Sequence, residues 1–297
     1  MSHEMFANRH NGPRGHEISQ MLKTVGVESL DELMDKTVPS DIRLPGPLNL
    51  PPAMNEYEYL AHLRELGSRN KLYRSFIGQG YYGVAPPSVI VRNVLENPSW
   101  YTSYTPYQAE ISQGRLEALI NFQTMVIELT GMEIANASLL DEATAAAEAM
   151  IMMFNARSRE AVKTGVRKFF ADEDVFPQTL DVIRTRAMPL GIEVVTGKYN
   201  EIIPDNSFFG YFVQYPSASG EVKDYSDFAA RVHETGALLG VAADLMSLAL
   251  LVPPGEWGAD IVAGSSQRMG LPVSFGGPHA GYFATREALK RSMPGRI

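Results

Sequence analysis

The sequence contains no cysteine among its 297 residues. This absence excludes disulfides, thiolate metal sites and cysteine nucleophiles, and it fits a reducing compartment. Positive charge is also in short supply, because 26 lysines and arginines face 34 aspartates and glutamates, for a net charge of -8. Nucleic-acid binding draws most of its affinity from basic surface. We therefore expect no nucleic-acid partner.

Long hydrophobic runs are absent too. No apolar stretch approaches the roughly 18 residues that a membrane span needs, so we expect no membrane association. The first residues, Met1–Phe6, lack the basic and apolar regions of a secretory signal. These features predict a cytoplasmic protein.

The first 55 residues predict a helical arm that ends in a linker. Amphipathic patterns at 17–25 and 29–34 favour two short helices, and Ser29 with Glu32 resembles a capping box. The stretch 44–52 contains four prolines, which stop both helices and strand ladders.

Residues 56–297 predict one α/β domain. A helix is expected over 55–70, followed by two stronger ones over 113–129 and 141–157, and from residue 166 short apolar strands alternate with helices. The strands are expected at 166–171, 193–196, 208–214, 238–243, 261–263 and 282–284. This alternation indicates a mostly parallel sheet that is flanked by helices.

The segment Gly78–Gly83 reads G-x-G-x-x-G, which is the glycine pattern of dinucleotide-binding sites. That pattern requires a helix that opens at the third glycine, but Pro86 and Pro87 follow instead. A glycine-rich turn is the better interpretation.

A tyrosine-rich stretch follows the turn. Its aromatic rings favour packing in a core or an interface, and the alternative is a polar-tipped wall of a small-molecule site. The candidates for such a wall are Tyr81, Tyr82, Tyr104, Tyr107, Gln108 and Glu110.

Asp244 follows the apolar run 238–243, so it is expected at the carboxyl end of a parallel strand, where α/β proteins bind ligands. In pyridoxal-phosphate enzymes with an aminotransferase architecture, such an aspartate pairs with the pyridinium nitrogen; a helix cap or surface turn is the alternative. The same architecture places a Schiff-base lysine where this sequence has Arg268. A guanidinium stays protonated and cannot attack an aldehyde, and the nearest downstream lysine is Lys290.

Asp141 and Glu142 begin the helix whose N-terminus would meet a cofactor phosphate. As caps they suit the helix dipole, and as anions they would repel a phosphate. The six histidines show no metal-binding spacing, so no metal is expected.

Several strings, spread over nearly the whole chain, together resemble the glycine decarboxylase P-proteins of the glycine cleavage system. They are Arg9–Pro13, Ile77–Tyr82, Leu95–Tyr101, Tyr104–Glu117, Asn136–Ala149, Gly264–Arg268, Gly276–Ala280 and Met293–Arg296. Asn11 departs from the pattern, where an apolar residue is expected.

The resemblance implies a two-half enzyme, with each half on the aminotransferase-like fold of PLP fold type I. The C-terminal half holds pyridoxal phosphate on a lysine, and the N-terminal half is a degenerate copy. This chain resembles the N-terminal half, ending at Ile297 before that half's smaller C-terminal domain. Asp244, Arg268, Asp141 and Glu142 would then form a degenerate cofactor pocket.

The implied reaction decarboxylates glycine and passes the aminomethyl group to the lipoyl group of H-protein. The tyrosine-rich residues would contribute a wall to the partner half's active site, with no catalytic residue in this segment alone. A dimer is also expected. Two other readings remain: a self-sufficient pyridoxal-phosphate enzyme, which the missing lysine disfavours, and a non-catalytic scaffold on the same fold.

Overall fold

The computed structural model describes residues 12–101, 105–274, 276–277 and 279–295. Two compact units divide the chain between Arg74 and Ser75. The predicted domain boundary after residue 55 stays a prediction, because compactness alone does not define a domain. In the described part of the chain, no helix is both long and apolar enough to cross a lipid bilayer.

The first unit contains short capped helices. They are α1 (Gly15–Val25), α2 (Leu30–Thr37) and α3 (Glu56–Ser68). Ser29 caps α2, where its Oγ accepts the N–H of Glu32 at 3.1 Å, and Asn55 and Glu58 form a capping box at α3. The proline-rich stretch 44–52 contains neither helix nor strand, as predicted.

The second unit holds the sheet and its covering helices. The helices are α4 (Ser88–Ile90), α5 (Gln113–Thr130), α6 (Glu142–Asn155), α7 (Arg159–Lys163), α8 (Pro177–Ala187) and α9 (Ser226–Glu234). The strands are β1 (Ile134–Ala135), β2 (Lys168–Asp172), β3 (Glu193–Gly197), β4 (Phe208–Tyr215), β5 (Leu238–Ala243), β6 (Ile261–Ser265) and β7 (Gly281–Thr285). Single helical turns occur at Val91–Leu95, Ala109–Ile111, Met188–Leu190, Ser247–Ala249, Gln267–Met269 and Glu287–Ser292.

The seven strands form one sheet in the order β1-β7-β6-β5-β4-β2-β3. Strands β3, β2, β4, β5 and β6 run parallel to one another. Strand β7 is antiparallel to β6, and β1 is antiparallel to β7. The predicted mostly parallel α/β fold is therefore confirmed.

Both faces of the sheet are buried, because side chains alternate across each strand. Val213 of β4 packs in one core with Val126 of α5 and Phe228 of α9. Its neighbour Phe212 packs in the opposite core with Met150 of α6. Strands covered on both sides are expected to be apolar throughout, which makes a polar side chain in such a strand conspicuous.

Helix α6 lies close to the sheet because small residues line the contact. Its alanines Ala145, Ala146, Ala147 and Ala149 are fully buried, as the small-sided segment predicted. On the strand side, a Cβ added at Gly240 would lie 2.5 Å from Cε of Met153, well inside van der Waals contact. This close packing fixes the start of α6 near the carboxyl ends of the strands.

Candidate functional site

A cavity of about 530 Å³ opens at the carboxyl ends of β4, β5 and β6. Gln214, Asp244 and Ser265, which end or follow these three strands, line it. The remaining lining comes from the glycine turn and nearby loops: residues 76–80, Tyr82, Glu142, Phe176, residues 216–220 and Arg268. This is the edge at which parallel α/β sheets bind ligands.

Asp244 and Arg268, which the sequence analysis assigned to one pocket, both line this cavity. Nε of Arg268 lies 3.4 Å from Oδ1 of Asp244. The contact is an ion pair without hydrogen-bond geometry, since Nε has no hydrogen-bond partner among the described residues. The Arg268 guanidinium also lies over the ring of Tyr82, 4.3 Å from its centroid, which adds a cation–π attraction. Oδ1 of Asp244 accepts the N–H of Met246 at 3.1 Å.

Gln267 anchors the Tyr82 segment against the turn that follows β6. The side chain is 1% exposed, and its Nε2 donates to the carbonyls of Tyr82 at 3.1 Å and Leu271 at 2.5 Å. Sequence reasoning missed this residue. It is the neighbour of Arg268, and its two bonds hold the ring of Tyr82 where the guanidinium can stack on it.

The start of α6 differs from the prediction in one respect. Asp141 is the expected cap, and its Oδ1 accepts the N–H of Thr144 at 2.7 Å. Glu142 is not a charged cap, because burial raises the pKa of its carboxyl to about 8, with the carboxylates of Asp244 and Asp141 adding to the rise. The side chain of Gln214 and the backbone N–H of Ser265 only partly offset this effect on the pKa. The pKa of Glu142 therefore lies near neutral pH, where the protonated form predominates below about 8 and the ionised form is accessible.

Two of the candidate wall tyrosines lie by this site. Tyr82 lines the cavity. The hydroxyl of Tyr81 lies 3.5 Å from Nε2 of His279, and the two rings meet edge to face with centroids 5.5 Å apart. Burial, followed by the carboxylates of Asp141 and Glu142, raises the pKa of Tyr81, so this phenol lies near the start of α6.

The other wall candidates are not brought into the cavity. Tyr107 is 79% exposed, and Glu110 lines a separate shallow groove at the start of α5 with Gln113 and Ile120. Gln108 adjoins that groove in the chain and does not line the cavity. Tyr104 lies outside the described residues. Their proposed role at a partner's active site stays a prediction.

The glycine motif is a turn, as interpreted from the sequence. Gly78 and Gly80 have φ angles of 66° and 86°, in the left-handed region that glycine favours. The N–H of Tyr81 donates to the carbonyl of Gly78 at 3.2 Å, and the next helix after this turn begins at Ser88. A Cβ at Gly80 would also lie 2.9 Å from Cε2 of Phe176, so the turn packs tightly on the cavity wall.

Gln214 is the functional candidate that sequence reasoning missed most clearly. Its side chain is 1% exposed and lines the cavity, and Oε1 has no hydrogen-bond partner in the described part of the chain. The signal was present in the sequence, because an amide interrupts the aromatic and apolar run of Phe208–Tyr215.

These residues do not fit covalently bound pyridoxal phosphate. No lysine is among the described residues that line the cavity, and Arg268 is paired with Asp244. The α6 N-terminus presents Asp141 and Glu142 where a phosphate would need free N–H groups. Within the described ranges, no cluster of three or more His, Cys, Asp or Glu side chains is placed to hold a metal ion.

Comparison with known proteins agrees with this architecture. Residues 8–297 match the family model described as glycine cleavage system P-protein. Glycine dehydrogenase (decarboxylating) from Bacteroides thetaiotaomicron is 57% identical over the whole chain, which covers 31% of that protein. The corresponding protein from Nostoc punctiforme is 56% identical over 98% of the chain, or 29% of its own length.

Solved structures show the same fold. A crystal structure of glycine decarboxylase (P-protein) in inhibitor-bound form matches 97% of this chain and 65% of that one, with 36% identity and a TM-score of 0.84. Sphingosine-1-phosphate lyase from Burkholderia pseudomallei, at 10% identity, shows the fold alone, with a TM-score of 0.61 over 86% of this chain and 64% of the lyase. The fold is that of PLP fold type I enzymes.

The chain spans about a third of the length of the curated relatives it matches. The family model covers nearly all of it. The chain belongs to the glycine cleavage system P-protein family.

Proposed function

We propose that this chain forms the larger part of the N-terminal, non-PLP-binding half of a glycine decarboxylase. The complete protein would decarboxylate glycine and transfer the aminomethyl group to the lipoyl group of H-protein. Pyridoxal phosphate would be held by the C-terminal half, where it serves as the electron sink for loss of carbon dioxide. Family membership and the 31% share of its relatives' length support this division.

The ion pair between Arg268 and Asp244 is the observation that carries the proposal. An aspartate at this place in the fold would be expected to face a cofactor ring, yet it faces a guanidinium 3.4 Å away. Arg268 cannot form a Schiff base. This half would therefore have the fold of a pyridoxal-phosphate enzyme but no lysine to form the Schiff base, and the segment alone would be inactive.

This half would contribute side chains that contact the active site of the C-terminal half. Tyr82 lines the cavity and its chain neighbour Tyr81 contacts His279, while Tyr107 lies on exposed surface and Glu110 lines a separate groove. We propose that the exposed set, with Tyr104 and Gln108, lines the active site of the C-terminal half. A dimer of complete P-protein would be the working unit, in the cytoplasm.

The test is reconstitution. This chain, the separately produced C-terminal half and lipoylated H-protein are combined with pyridoxal phosphate, and exchange of labelled bicarbonate into glycine is measured. We expect no exchange from this chain alone and restored exchange when both halves are present. Exchange by this chain alone would show a self-sufficient enzyme. Full activity of the C-terminal half without this chain would favour a non-catalytic scaffold.

A further inference from the structure

We propose that the cavity at the carboxyl ends of β4, β5 and β6 binds a small monocationic primary amine that also carries a neutral oxygen acceptor. This site would lie in the degenerate pocket itself. It requires neither pyridoxal phosphate nor the C-terminal half, so it stands apart from the catalytic proposal.

The first argument is a set of buried polar atoms that the protein leaves without partners. They are Oε1 of Gln214, Oε1 of Glu142 and Nε of Arg268, and none of them forms a hydrogen bond within the described part of the chain. All three side chains line the cavity. A buried polar group without a partner costs about 1–3 kcal/mol, and native proteins keep few of them without a reason. Three that converge on one cavity indicate a ligand.

The second argument is the chemistry of these atoms. Oε1 of Gln214 and an ionised Glu142 are acceptors, whereas Nε of Arg268 is a donor. A primary ammonium group carries three N–H donors and can serve two acceptors at once. The donor of Arg268 then requires an oxygen acceptor on the same ligand.

The third argument is charge. Among the described lining residues, the carboxyl and guanidinium groups are those of Glu142, Asp244 and Arg268. At pH 8, near the pKa of Glu142, part of this carboxyl is ionised, and a bound ammonium would favour the ionised form. With both carboxyls ionised, the charges of Glu142, Asp244 and Arg268 sum to one negative charge, which a monocation balances. An anion would meet two carboxylates, and Arg268, the one cationic side chain among the described lining residues, is already paired with Asp244. A zwitterion has no net charge, so it would leave the negative charge of the cavity lining unbalanced. The oxygen acceptor on the ligand should therefore be neutral.

The volume of the cavity also limits the size of the ligand. A volume of about 530 Å³ lies within the range of small-molecule sites. Tyr82 and Phe176 supply aromatic wall, so an apolar substituent on the amine can be accommodated.

Calorimetric titration of the 297-residue chain at pH 8, in a buffer free of amines, tests this inference. Four probes of similar size separate the requirements: ethanolamine, ethylene glycol without the amine, ethylamine without the oxygen, and glycine as the zwitterion. We expect ethanolamine to bind at least about tenfold more tightly than each of the other three, which corresponds to 1.4 kcal/mol. Equal affinities within the series, or tighter binding of inorganic phosphate, would overturn the proposal.

A matched pair of variants locates the site. Glu142→Gln removes the carboxylate and should weaken ethanolamine binding at least about tenfold. Glu148→Gln alters the same helix, but Glu148 contacts Arg186 at 2.5 Å and does not line the cavity, so it should leave the affinity unchanged. Equal effects of the two variants, with both folded by circular dichroism, would rule this cavity out. If Glu142→Gln does not fold, the four-probe titration of the unaltered chain still tests the proposal.

Discussion

Nε of Arg268 lies 3.4 Å from Oδ1 of Asp244, across the carboxyl ends of two neighbouring parallel strands. Both side chains are mostly buried, at 25% and 21% exposed. Removing one member of such a pair leaves the other charge in a poorly solvated place. Loss of one partner is therefore expected to destabilise the fold, and Arg268 occupies the position at which the sequence analysis expected a Schiff-base lysine.

Arg268→Met should lower the free energy of unfolding by about 1–3 kcal/mol, because Asp244 loses its counter-ion. Urea denaturation followed by circular dichroism measures this change. Arg184→Met is the control, since Arg184 forms an exposed pair with Asp181 at 3.3 Å and such pairs contribute about 0–1 kcal/mol. Equal losses from the two variants would contradict a special role for the buried pair.

Reduction with borohydride in the presence of pyridoxal phosphate should give no adduct inside the cavity, because none of its described lining residues is a lysine. Peptide mapping by mass spectrometry should place any label on exposed lysines such as Lys290, at low stoichiometry. The C-terminal half, treated in parallel, should carry one label per chain. One stoichiometric adduct on this chain, with an aldimine absorbance band, would contradict our interpretation of Arg268.

Tyr81→Phe should lower kcat of the reconstituted two-half enzyme several-fold. The variant removes only the hydroxyl that lies 3.5 Å from Nε2 of His279, and the edge-to-face ring contact is retained. Tyr57→Phe is the control, because Tyr57 lies on α3 and is 81% exposed. Steady-state glycine decarboxylation measures both variants, and unchanged kinetics for Tyr81→Phe would remove Tyr81 from the proposed active-site wall.

Gly240→Ala should destabilise the second unit by about 1–3 kcal/mol through overpacking. The added Cβ would lie 2.5 Å from Cε of Met153 and 2.7 Å from Cδ2 of Phe212, so both side chains must shift. Thermal unfolding measures the effect. Gly114→Ala in α5 is the control, since no atom lies within 4 Å of its added Cβ and alanine is favoured over glycine in helices.

The strands could be predicted from the sequence because apolar runs of strand length are distinctive. The bounds of β5 match the predicted 238–243, whereas β1 has only two residues and shows no pattern. The placement of Asp244 and Arg268 in one pocket was implied by the family resemblance, and in the structure each follows one of two neighbouring parallel strands. Tyr107 and Glu110 do not line this cavity, and their role at the active site of the partner half stays a prediction.

The hydrogen-bond partners of Gln214 and the raised pKa of Glu142 could not be predicted from the sequence. A pattern can mark an amide in an apolar strand or a carboxylate at a helix start. Whether their oxygens find partners depends on tertiary packing, which the pattern does not contain. The raised pKa of Glu142 arises from burial between elements distant in sequence. The groups that face its carboxyl are Asp141 on its own helix, Gln214, Asp244, Ser265, Tyr282, Tyr81 and, across the cavity, Arg268.

The stability of the chain should fall as pH rises from about 5 to 8, in part because of Glu142. Its pKa is about 8 in the folded state and 4.5 in a free side chain, so between these values the unfolded chain releases a proton that the folded chain keeps. Linkage then lowers the free energy of unfolding by up to about 1.4 kcal/mol per pH unit. Glu142→Gln cannot titrate, so urea denaturation should show its stability falling less steeply than that of the unaltered chain, whereas Glu148→Gln should keep the slope. Parallel curves for the unaltered chain and Glu142→Gln would show that Glu142 is already ionised in the folded state.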